Sequence, residues 1–289
     1  MSRATLAGCG AILLWAFLGL LARLADGVPP LQLTALSMAT GGLLGLAVVA
    51  RRGALGALRQ GGLAWAHGAG GLFGYHALYF AALALAPAVE ANLLNYLWPL
   101  LIVLLSGLIL GLILGLPLGG RRLMGVALGF AGCALLIGGG AHFPAGALPG
   151  FLCAVAGAVV WATYSVTARR LAQVPTEAVA GFCLASAALA GVLHFAFEVT
   201  VWPDAWQALA ILLLGLGPVG SAFFLWDLGM KRGDPRLLGT FAYAIPVLST
   251  LLLVAAGEGR ADERVLLAAL LVAGGGVLAS WRGVRRSVA

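Results

Sequence analysis

The sequence predicts an all-α membrane protein of ten transmembrane helices, arranged as two inverted five-helix repeats with both termini on the cytoplasmic side. Three observations lead there. The 289 residues are 62% hydrophobic and only 9% charged, against about 45–50% and 25% in soluble domains. Basic residues gather in alternate polar breaks. The second half of the chain repeats motifs of the first.

A hydrocarbon core about 30 Å thick takes roughly 20 apolar residues per helix. Runs of that kind follow one another, centred near Leu14, Gly41, Gly74, Leu101, Ala131, Ala158, Ser186, Gly217, Ile245 and Gly274. The first begins at Ala4 and has the outline of a signal peptide, but further runs follow it and Arg3 is its sole flanking charge on that side. It is expected to stay as the first helix. With the N-terminus inside, every basic residue except Arg23, Arg260 and Arg264 falls in a cytoplasmic segment. Positive charge in short loops resists translocation, so the net charge of +7 is topological. These loops are too short to interleave a basic patch with base-reading groups, which excludes nucleic acid as a partner. Cys9, Cys133, Cys153 and Cys183 lie inside runs at no metal-ligand spacing. They are expected to be small buried hydrophobes, with no metal and no cofactor.

"WAFLGLLAR" at 15–23 returns as "WATYSVTAR" at 161–169, "YLWP" at Tyr96–Pro99 as "YAIP" at Tyr243–Pro246, and "RRLMGVALGFAG" at 121–132 as "ERVLLAALLVAG" at 263–274. The halves are roughly 1–145 and 146–289. An odd number of spans per half obliges the second copy to enter the membrane from the opposite side, and inverted repeats are a mark of secondary transporters, whose cargo binds at mid-depth between them. Glycines four apart, Gly41 with Gly45, Gly70 with Gly74, Gly107 with Gly111 and Gly115, and Gly125 with Gly129, are expected to let helix backbones approach closely.

The paired halves, Pro99 and Pro246, and the "GE" of Gly257 and Glu258 closing span nine resemble the EamA-like branch of the drug/metabolite transporter superfamily. Within it, the aromatic-rich third and fourth spans are similar to bacterial aromatic amino acid and paraquat exporters. The resemblance covers essentially the whole chain. It implies export of small metabolites, foremost aromatic amino acids, across the bacterial inner membrane by alternating access. The central cavity would be walled by spans one, three, four, six, eight and nine. Paraquat-like cations are the alternative cargo. One departure stands out: "LGLILGLPLGGRR" lacks the glutamate that the family usually carries before its basic pair, and Pro99 to Gly132 spans 33 residues where Pro246 to Gly274 spans 28.

Polar groups inside a span face the bundle interior or a wet cavity. "GYHALYFAALALAPAVEANLLNYLWP" at 74–99 carries Tyr75, His76 and Tyr79 on span three, then Asn95, Tyr96 and Trp98 on span four, aimed at one volume. Rings and a few neutral polar groups suit a flat solute with polar ends, and ring faces also suit a cation. Trp161 and Tyr164 on span six join this candidate substrate site, as does Tyr243, the repeat partner of Tyr96. Helix packing is the alternative role for such aromatics. His76 is a candidate for a protonation step or a plain hydrogen bond. Glu90 is expected near the outer mouth and Asp227 in an ion pair with Lys231 or Arg232. Trp65, Trp202, Trp206 and Trp281 are expected at the membrane interfaces. Pro99 and Pro246 are expected to lie mid-helix, kink their spans at matched depth and serve as hinges, a static bend being the alternative. No HExxH, GxSxG, P-loop or Cys/His cluster is present, so no catalytic residue is assigned, and no continuous polar file suggests a channel.

Overall fold

The computed structural model describes residues 1–98, 100–102, 104–105, 120–138, 146–167, 171, 173–232, 238, 241–242, 244–258 and 262–280. Among these residues the chain is helical, with no strand. Helix α1 (Arg3–Ala16) starts at Ser2, whose hydroxyl accepts from the Thr5 N–H at 3.2 Å, satisfying one of the donors a helix start leaves open. It breaks at Phe17 and resumes as α2 (Leu18–Leu24). Gly27, with φ +86°, turns the chain into a conformation that side chains resist. Then α3 (Pro30–Arg51) opens on a proline whose missing N–H is not needed there. Helices α4 (Gly62–Leu85), α5 (Ala88–Asn95), α6 (Gly120–Gly138), α7 (Leu148–Thr167) and α8 (Ala178–Phe197) follow.

Helix α9 (Ala205–Leu216) begins with a capping box: Asp204 accepts from the Trp206 and Gln207 N–H groups, and the Gln207 amide oxygen accepts from the Asp204 N–H, each at 2.8 Å. A π-helical segment, Gly217–Ser221, leads into α10 (Ala222–Arg232). Pro218 has no N–H to give, and the wider turn absorbs the mismatch. Helices α11 (Ile245–Ala255) and α12 (Glu263–Ser280) close the chain.

Six runs are long and apolar enough to cross a membrane: Arg3–Leu24, α3, α4, α7, α8 and Ala205–Gly229, with shorter apolar helices at Leu123–Gly132 and Ile245–Ala255. Their outward faces carry Leu13, Leu43, Val192 and Phe195, all exposed, as a lipid-facing surface requires. The most extensive contacts join α6 to α12, α3 to α8, α4 to α7 and α1 to α10, while α5 touches both α7 and α11. At one end of the α3–α8 pair, Glu198 accepts from the Leu31 and Gln32 N–H groups at 3.0 and 3.1 Å, and His194 Nδ1 lies 2.8 Å from it.

Close backbone approach occurs where α3 crosses the π segment: a Cβ on Gly41 would stand 2.8 Å from the Gly215 carbonyl oxygen. Between α6 and α12, one on Gly275 would stand 2.4 Å from that of Gly125. Gly70, expected to pack, faces open space instead. Gly107, Gly111, Gly115 and the longer linker they belong to lie outside the described residues. Trp202 and Trp206 are 89% and 77% exposed, as an interfacial belt demands. Trp65 differs: its ring turns inward, edge-on to Phe182 at 5.2 Å. Trp281 lies outside the described residues.

Candidate functional site

Helix α4 runs unbroken past its middle, so Tyr75 and Tyr79 sit one turn apart with rings parallel within 9° and centroids 5.9 Å apart. His76 is 1% exposed, and its Nδ1 donates to the Leu72 carbonyl at 2.9 Å. A carbonyl only accepts, so this contact puts a proton on Nδ1. Opposite, α5 stops at Asn95 and the chain turns through Tyr96 and Leu97 before resuming helix at Trp98. That break aims Asn95, Tyr96 and Trp98 inward together.

Trp161 of α7 is the hub. Its ring lies 4.9 Å from Tyr75, 6.2 Å from Trp15, 6.4 Å from Trp98 and 5.9 Å from Phe223, centroid to centroid. Trp15 is held by the π segment, its indole N–H donating to the Pro218 carbonyl at 3.0 Å. A buried indole needs such a partner, and the irregular turn supplies it. These rings, with Leu18, Tyr96, His76 and Ile245, enclose a void whose remaining room is of water size rather than ring size. None of the lining residues is an acid or an arginine or lysine.

Polar groups behind the wall pair with one another. The Asn95 amide donates to the Tyr75 hydroxyl at 2.9 Å, while its Oδ1 is buried without a partner. The Tyr79 hydroxyl donates to Asn92 Oδ1 at 2.6 Å, and Asn92 Nδ2 donates to Ser249 Oγ of α11 at 2.9 Å. An apolar chamber with a few neutral donors and acceptors can hold a ring and orient a polar end. The described residues hold no cluster of metal-ligating side chains.

The model described as "EamA-like transporter family" matches residues 2–138 and again 148–281. The chain belongs to the EamA-like transporter family. A protein named aromatic amino acid exporter YddG from Ancylobacter novellus is 51% identical over 96% of this chain and 97% of its own. Relatives of the same name from Escherichia coli K12 and Salmonella typhimurium are 27% and 24% identical, covering 98% and 86% of this chain and 98% and 87% of their own. A crystal structure 51% identical in sequence superposes with a TM-score of 0.76, covering 96% of this chain and 97% of that one. This EamA-like protein is thus a transporter rather than an enzyme, a multi-pass protein of the inner membrane.

Of the positions singled out in the sequence, Tyr75, His76, Tyr96, Trp98 and Trp161 line the void of this family member. Tyr79 and Asn95 stand behind it, bonded to Asn92 and Tyr75. Tyr164 touches Trp161 at 5.3 Å but leans away, stacked on His67 at 4.6 Å and packed on the Gly71 backbone. Tyr243 and Pro99 lie outside the described residues. Pro246 occupies the first turn of α11, so the helix begins at it rather than bending around it. Asp227 accepts a hydrogen bond from the Thr176 hydroxyl.

Sequence reasoning did not assign Trp15, Leu18, Phe223 or Ile245 to the wall. Trp15 carried a usable signal as the repeat counterpart of Trp161. The other three are apolar residues in apolar runs and offer no contrast.

Proposed function

We propose that this protein exports aromatic amino acids across the inner membrane by alternating access. On this reading ten spans form two inverted repeats, residues 1–145 and 146–289, with both termini in the cytoplasm. The family model matches the chain twice, which supports the duplication. So does the packing: counted as spans, two contacts seven and five contacts ten, while one on eight is mirrored by six on three. Each pair maps onto itself or onto another when every span is exchanged for its counterpart in the other half.

The observation that carries the reading is the ring-walled void at the junction of both halves, free of fixed charge in its lining. A phenyl or indole side chain would stack among Trp161, Trp98, Tyr75 and Tyr96, displacing ring contacts that the empty chamber makes with itself. Among the lining residues the Tyr75 and Tyr96 hydroxyls and the His76 ring would meet the ammonium and carboxylate of the cargo, with Asn95 holding Tyr75 from behind. Because the void is smaller than a ring, cargo enters only as the walls separate. The "YxxP" motifs at Tyr96–Pro99 and Tyr243–Pro246 are where span four and span nine would flex. The absence of a carboxylate from the lining favours a zwitterion over a dication of the paraquat kind. The relatives named aromatic amino acid exporters support the same cargo.

The test is uptake of labelled phenylalanine, tryptophan and threonine into proteoliposomes, with and without an imposed pH gradient, beside a His76→Ala protein. Saturable uptake favouring the two aromatics is expected, and insensitivity to the gradient would identify facilitated movement. Absence of uptake for every amino acid by folded protein would refute the assignment.

A further inference from the structure

Beyond the chamber, α2, α4 and the α11 side each bring residues to two polar layers in turn. On α2 the order is Leu18, Gly19, Arg23; on α4 it is Tyr75, Tyr79, Leu83; on the α11 side it is Ile245, Ser249, Glu258. The first member of each set lines the void. The second members meet around Asn92: Tyr79 donates to it, it donates to Ser249, and α2 brings only the backbone of Gly19 there. A Cβ on Gly19 would lie 3.0 Å from the Tyr79 hydroxyl and 3.2 Å from Asn92 Oδ1. The third members meet at one guanidinium. Arg23 donates through Nε to Glu258 at 2.8 Å, through a terminal nitrogen to Asp26 at 2.9 Å, and at 3.5 Å to the Leu83 carbonyl.

Glu258 is placed for this by the end of α11. Gly257 takes φ +83°, and the Glu258 N–H donates back to the Leu253 carbonyl at 3.0 Å. Such a glycine-ended helix reverses the chain sharply and turns the carboxylate toward α2. Both layers join the first half of the chain to the second: Asn92 to Ser249, and Arg23 to Glu258. Neither is used by the chamber to hold cargo.

We propose that these two polar layers are the outer gate of the transporter, closed in this structure, with Arg23 as its latch. The inference rests on the sidedness given above, which sets Arg23 and Glu258 on the outer side, and it explains why a basic residue stands there against the general bias. The chemistry suits a gate. Neutral hydrogen bonds and a partly exposed ion pair each contribute modestly, because water replaces them once they open. Two thin layers can therefore hold the closed state without making it permanent.

The test uses the full chain with its native cysteines replaced by alanine and Leu18→Cys as a reporter in the chamber wall. A membrane-impermeant maleimide is applied outside intact cells. Slow labelling is expected in the parent. Arg23→Ala or Glu258→Gln should speed it about fivefold, Asn92→Ala should add to that, and Glu258→Asp should stay near the parent. Val199→Cys, on an exposed outer loop, should label at once, and Gly56→Cys should not. Failure of that control pattern would overturn the sidedness rather than the transport reading. Unchanged Leu18→Cys labelling in every gate variant would overturn the gate. A second arm avoids variants that merely misfold. Arg23→Cys with Glu258→Cys, joined by a cleavable bifunctional maleimide, should lose transport and regain it on cleavage. Full transport while joined would sink the proposal.

Discussion

On one side of the chamber α4, α5 and α11 answer hydroxyls and amides with other side chains, through Tyr75–Asn95 and Tyr79–Asn92–Ser249. On the other, α1, α7 and α10 meet ring against ring, with the Trp15 indole tied to the Pro218 carbonyl. The two sides should fail differently. A hydrogen-bonded pair is all or nothing, since deleting one member strands the other in a dry site. A ring cluster gives way by degrees, because each contact is small and neighbours can shift.

The largest effect is expected at the hub, where both sides meet. Trp161→Ala removes a ring with at least five aromatic neighbours and should cost about 3–5 kcal/mol in detergent-solubilised protein, read by thermal unfolding, with transport lost. Asn92→Ala should come next, at about 1–3 kcal/mol, because it strands the Tyr79 hydroxyl and takes one partner from the Ser249 hydroxyl. Asn92→Leu combined with Tyr79→Phe should recover part of that loss, and a purely additive double variant would contradict the all-or-nothing picture. Trp15→Phe keeps most of the ring and removes the donor to Pro218, for about 1 kcal/mol. A comparably small change in stability is expected for Phe223→Leu, below about 1.5 kcal/mol. Its signature should be weaker preference for tryptophan over threonine in uptake, which would sharpen the view that the ring side selects cargo.

The polar side was legible in the sequence and the ring side only partly so. Tyr75, His76, Asn95 and Tyr96 stand out because a polar atom inside an apolar run must find a partner or a cavity, so each announces an interior position. Phe223, Leu18 and Ile245 bring no such contrast: in a lipid-bound helix an apolar side chain satisfies either face. The π segment was hidden for a related reason. Gly217, Pro218 and Gly220 read as one continuous hydrophobic run, and hydropathy does not register the turn that places a carbonyl under Trp15. Arg23 was visible only as an exception to the charge bias. Its partner Glu258 lies 235 residues away, a distance that no local pattern bridges. The register of spans, by contrast, follows from bilayer thickness, which is why the six long apolar helices fall near expected centres even where their breaks do not.

Four of the eight tryptophans stand in file through the centre, Trp226 to Trp15 to Trp161 to Trp98, with successive ring centroids 5.1, 6.2 and 6.4 Å apart. Indoles this close and tilted to one another share their excited states. The protein therefore carries its own chiroptical signal in the near ultraviolet, and a chamber that parts to admit a ring must change it as the file is broken.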